Sequence, residues 1–96
     1  MTVQGISEQT RQQILRIARK HGVTSVRVFG SAARGEGTAS SDLDLLIEVT
    51  GPTTPWFPGG LVAELEDLLG RRVDVVEAEA LREAVRERVL REAVPL

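Results

Sequence analysis

An α/β fold, a small mixed and twisted sheet with helices packed on one face, follows from three features of this chain. Segments of helical period alternate with short segments of period two. One strand-like segment, Asp42–Val49, is apolar at every second position and opens with two acids on its other side. All the prolines but one fall in a single stretch, Gly51–Gly60, which leaves the periodic segments clear of breakers. The predicted order is helix, strand, short turn of helix, strand, helix, strand, helix.

The first helix is predicted over about Glu8–His21. Ser7 is its N-cap, with Ile6 before it as a hydrophobic staple. Ile14, Leu15, Ile17 and Ala18 form the apolar stripe. Lys20 and His21 suit the negative end of the dipole, and Gly22 supplies a left-handed stop. Val26 and Val28 alternate with Ser25 and Arg27, giving a short strand that ends at Gly30. Ser31–Arg34 reads as one turn of helix, and Gly35–Ser41 as a polar loop of small residues.

In the second strand, Leu43, Leu45 and Ile47 alternate with Asp42, Asp44, Leu46 and Glu48. Gly51–Gly60 is a loop carrying Trp56 and Phe57, which read most simply as a lid over the core, with an adenine or partner contact as the alternative. Leu61, Leu65, Leu68 and Leu69 make a second amphipathic helix, stopped by Gly70. Val73, Val75 and Val76 surround Asp74 in a third strand. Leu81, Ala84, Val85 and Val89 line the last helix, whose other face offers Glu83–Arg86 and Glu87–Arg91 pairs.

Composition bounds the chemistry. At 96 residues a single domain, 1–96, is expected. With 42% hydrophobic and 27% charged residues, the chain has the make-up of an ordinary soluble globular protein. It has no cysteine, which excludes disulfides, zinc thiolates and cysteine nucleophiles, and its one histidine, His21, cannot build a histidine metal site. No apolar run approaches the ~20 residues that span a bilayer, so no membrane role and a cytoplasmic location are expected. The net charge of −2, with arginines interspersed among acids, disfavours binding of polymeric nucleic acid.

Asp42 and Asp44 lie two apart on one strand and therefore point to the same face. Like charges that close repel and raise each other's pKa, a cost that a divalent cation between them removes. Just upstream, the Gly30-Ser31 turn leaves backbone N–H groups open for phosphate. Paired acids with phosphate donors read as a magnesium–nucleotide site. Each residue also has a plainer reading. Asp42 or Ser41 could shape a turn, Asp74 could be an exposed strand residue, and Arg34 could be solvated or packed.

The run Gly30-Ser31-Ala32-Ala33-Arg34-Gly35, continued by Ser41-Asp42-Leu43-Asp44-Leu45-Leu46-Ile47, resembles the minimal nucleotidyltransferases, the small branch of the DNA polymerase β-like superfamily. That family's hallmark is Gly-Ser, a spacer, then Asp-x-Asp. Asp74, on the next strand after one helix, fits the family's third acid. The resemblance implies the polymerase β-like nucleotidyltransferase fold and transfer of a nucleoside monophosphate, AMP from ATP, with release of pyrophosphate. It implies two Mg2+ ions held by Asp42, Asp44 and Asp74, the last serving the second metal or taking the proton of the attacking hydroxyl. Gly30 and Ser31 would grip the β and γ phosphates, Ser41 would join the nucleotide site, and Arg34 would pair there with a phosphate or else with a loop carbonyl.

Larger relatives append an acceptor-binding domain, and none is expected in these 96 residues. The acceptor, or half its site, is then expected on another chain, with homo- or hetero-oligomerisation. The resemblance supplies a partner class, small helical HEPN proteins that are often RNases. In such pairs the transferase is the antitoxin, adding AMP to a tyrosine of the toxin. Two alternatives stand beside this reading: a non-catalytic module that neutralises its partner by occlusion, and a small-molecule nucleotidyltransferase that dimerises to form its acceptor pocket.

Overall fold

The structure, a computed structural model, describes residues 6–35 and 42–96. Its elements are α1 (Glu8–Lys20), β1 (Val23–Phe29), β2 (Leu43–Val49), α2 (Gly59–Leu69), β3 (Val73–Glu77), a 3-10 turn (Ala78–Ala80), α3 (Glu83–Glu92) and β4 (Val94–Pro95). The sheet runs in the order β3-β2-β1-β4. β1 is antiparallel to both its neighbours, while β2 and β3 are parallel. The end of β1 and the starts of β2 and β3 therefore meet at one end of the sheet.

Local signals set α1. The Ser7 hydroxyl accepts the N–H of Thr10 at 3.1 Å, and Arg19 and Lys20 occupy the last turn. Gly22 follows with φ +89°, and a Cβ there would strike the carbonyl oxygen of Pro52. Glycine is thus required twice over at this bend, by backbone sign and by space. The helix buries Ile14 and Ala18, and α2 buries Leu61 and Leu65. Both helices pack on the sheet face that carries Val26, Val28, Leu43, Leu45, Ile47 and Val73. Burying each such Leu, Ile or Val stabilises the fold by about 1.5–3 kcal/mol.

Leu46 points to the opposite face, with Asp44 and Glu48, yet it is fully buried. The acid-bearing face is therefore dry in its middle and polar at its ends.

The single turn expected at Ser31–Arg34 is present: Arg34 N–H donates to the Gly30 carbonyl at 3.2 Å, the spacing of one helical turn, and Gly35 N–H to the Ala32 carbonyl at 3.3 Å. Three expectations change. A fourth strand is present at Val94–Pro95, two residues that carry no periodic signal, with Pro95 placed on an edge as its missing N–H requires. The last helix buries no residue, and Val85 and Leu90 stay exposed on it. Trp56 is no lid: it is 89% exposed, while its neighbour Phe57 packs against the core.

Candidate functional site

The acids gather where β1 ends and β2 and β3 begin. Asp42 immediately precedes β2 and is exposed. Asp44, inside β2, is half-buried. The parallel register sets Asp74 directly beside Asp44, and the antiparallel register sets Phe29 on its other flank. Burial is the chief cause that raises the Asp44 pKa. The charges of Asp74 and Asp42 add to it, as does a hydrogen bond with Asp74, while Arg34 opposes. The structure thus brings all three sequence-selected aspartates together around Asp44.

The turn after β1 closes over this cluster. Gly30 has φ +74°, and a Cβ on it would collide with Asp44 Oδ2. Only glycine allows the turn and the carboxylate to approach so closely. Ala32 is buried and anchors the turn, while Ser31 is partly exposed. Arg34 lies at the turn's far side, exposed, with Nη1 3.8 Å from Glu92 Oε2. Ser41 lies outside the described residues.

The donor set fits a hard dication. Its ligands would be carboxylate oxygens, and the charge crowding on Asp44 is what a bound cation relieves. Among the described residues no group of three His, Cys, Asp or Glu forms a ready metal cage. Asp74 stands beside Asp44 in the strand register, and both Asp74 and Asp42 act on Asp44 through their charge. Magnesium takes one or two carboxylates and fills its remaining positions with substrate phosphate and water.

Sequence reasoning missed three features. Glu92, far along the chain, reaches the turn and pairs with Arg34. Phe29 stands in register with Asp44, a placement visible only once the strand pairing is known. His21, at the helix end where the dipole favours it, is also buried at 5% exposure. Its Nδ1 meets Thr54 Oγ1 and its Nε2 meets Glu64 Oε1 at 2.8 Å. That cluster ties α1, the loop and α2 together at the end of the sheet away from the acids.

This layout, a mixed four-stranded sheet with aspartates facing a glycine turn, is that of a nucleotide-transferring enzyme. Residues 11–96 match the nucleotidyltransferase domain family. The chain belongs to that family and, within it, to the minimal nucleotidyltransferases; it is a nucleotidyltransferase. MJ0435 of Methanocaldococcus jannaschii, provisionally named a protein adenylyltransferase, is 36% identical over 90% of this chain and 92% of its own length. The protein adenylyltransferase MntA of Thermococcus cleftensis is 37% identical over 81% of this chain and 79% of its own. A solved structure provisionally named a minimal nucleotidyltransferase superposes with TM-score 0.81 at 46% identity, covering 92% of this chain and 90% of that one. A complex of tri-AMPylated HEPN toxin with MNT antitoxin from Shewanella oneidensis gives TM-score 0.65 at 16% identity, over 88% of this chain and 66% of that one. At that identity the likeness concerns the fold alone.

Proposed function

We propose that this chain is a Mg-dependent protein adenylyltransferase that moves AMP from ATP to a tyrosine of a HEPN-type toxin and so acts as its antitoxin. The observation that carries the reading is the pairing of Asp44 with Asp74, with Asp42 close by, against the Gly30-Ser31 turn. The names of MJ0435 and MntA supply the protein acceptor, and the toxin–antitoxin complex of like fold supplies the partner class. Residues 1–96 are read as one catalytic domain that meets its acceptor in a hetero-oligomer.

In this reading the tyrosine oxygen bonds to the α-phosphorus and the bond from that phosphorus to the α,β-bridging oxygen breaks. Pyrophosphate leaves with the bridging oxygen. Asp42, Asp44 and Asp74 hold Mg2+, and magnesium bound there supplies neutralisation of the charge on the phosphoryl oxygens. Asp74, the exposed member of the strand pair, would hold the second metal or take the phenolic proton. Gly30 and Ser31 present the turn's N–H groups and a hydroxyl to the β and γ phosphates, and Arg34 and Ser41 complete the grip. Catalysis is then mostly positioning and charge neutralisation.

The test incubates the protein with labelled ATP, magnesium and the protein encoded beside it. Label on a tyrosine of that partner, lost in the Asp42→Asn/Asp44→Asn variant, supports the reading. Neutralisation of the partner that persists in the double variant favours occlusion, a second reading motivated by the exposed Val85 and Leu90 on α3. Transfer to an aminoglycoside without any protein partner would favour a small-molecule enzyme.

A further inference from the structure

Arg34 stands between two carboxylate groups from different parts of the chain. Its positive charge counters the acids that crowd Asp44, and its Nη1 lies 3.8 Å from Glu92 Oε2. Glu92 is the last residue of α3, a helix that buries no side chain. A carboxylate in a last helical turn faces the negative end of the dipole, where a basic residue is the favoured occupant. Glu92 is therefore poorly placed for the helix itself, and its favourable contact is with the turn.

We infer that Glu92 competes with nucleotide for the Arg34 guanidinium, holding it toward α3 until a triphosphate takes it over. The inference rests on the reading of the Gly30–Arg34 turn as the nucleotide site, and it assigns that site a built-in rival anion. A guanidinium presents a planar fork of N–H donors that phosphate oxygens match in pairs. The Glu92 contact is long, and the two side chains are 47% and 49% exposed. Exposed pairs of this kind are weak. A triphosphate with several charged oxygens displaces such a pair, and net affinity falls by what breaking it costs. Glu92 thus acts as a positioning residue through Arg34, without touching the reacting atoms.

The experiment measures binding of a fluorescent ATP analogue with magnesium and no acceptor, for wild type, Glu92→Gln, Arg34→Ala and the double variant. Circular dichroism and melting curves confirm that each variant is folded. Glu92→Gln is expected to bind about two- to fivefold tighter, the range an exposed pair allows. The gain shrinks as salt is raised, and it vanishes in the Arg34→Ala background. In transfer assays the change falls on KM for ATP and not on kcat. Equal affinities for wild type and Glu92→Gln would overturn the inference, and so would a gain that persists without Arg34. Wild-type protein that binds no nucleotide would remove the nucleotide reading of the turn itself, a different and separately visible failure.

Discussion

Asp44 and Asp74 lie side by side in register across the parallel β2–β3 pair, and each carboxylate bears on the other's charge. Burial and neighbouring acids raise the Asp44 pKa, so the folded chain holds that proton more tightly than the unfolded chain. The stability this contributes is complete below the ordinary value of 3.8 and is lost as pH rises through the raised folded value. At pH 7 Asp44 therefore weakens the metal-free fold. Asp44→Asn is expected to raise the melting temperature in EDTA at pH 7 while cutting transfer at least about a hundredfold. Magnesium should stabilise wild type and leave Asp44→Asn unmoved. Calorimetry at two pH values with and without magnesium checks all three outcomes; a variant less stable than wild type at pH 7 contradicts the first.

Gly30→Ala tests the close approach of the turn to the acids. The variant meets a left-handed backbone that costs about 1–2 kcal/mol for a residue with a Cβ. It also meets Asp44 Oδ2, which must move aside. The expectation is a loss of stability of that order together with a large loss of transfer. Ala32→Gly, at a buried but less constrained position in the same turn, should keep measurable transfer. Denaturant titration and single-turnover assays would separate the two effects.

The far end of the sheet predicts a different pH response. Lys20 and then His21 hydrogen-bond Glu64 and lower its pKa below the ordinary 4.5. A depressed carboxylate gives stability that is present above its unfolded value and lost as pH falls through the folded one. Glu64→Gln should flatten the acid side of the stability curve below about pH 4.5 and leave transfer intact. His21→Ala removes a buried, doubly hydrogen-bonded ring and should cost about 1–3 kcal/mol at neutral pH. Urea titrations from pH 3 to 7 report both.

On α3, Val85→Asp and Leu90→Asp change exposed side chains. Surface substitutions of this kind stay within about ±0.5 kcal/mol. Stability should hold while capture of the proposed toxin partner weakens. Unchanged affinity in a pull-down with purified partner would place the contact on another face.

The parts of this molecule that were legible in its sequence are those written locally. Ser7, the stripe through Ile14 and Ala18, and Gly22 state α1 within one stretch of chain. The alternation Leu43, Leu45, Ile47 against Asp42 and Asp44 states β2 and its acid side. Gly30-Ser31 and the aspartates could be singled out because their spacing in the chain is itself the signal. Contacts made across the chain were not legible. His21 meets Thr54 and Glu64, 33 and 43 residues away, so its burial depends on how two helices and a loop converge. Arg34 meets Glu92 only because α3 returns toward the turn. The apolar residues of α3 promised a packed face, but periodicity reports which side could be buried and not whether anything covers it.

Trp56 gives this protein an optical address. The chain has one tryptophan and no tyrosine, and that indole stands 89% exposed between β2 and α2, at the opposite end of β2 from Asp44. Its emission is expected to be that of a solvated ring at a single known spot. A blue shift on adding another protein would map the contact to that end, whereas filling the site at the aspartates should leave the spectrum where it was. One unlabelled cuvette measurement can therefore tell a protein contact at the Trp56 end from nucleotide occupancy at the other.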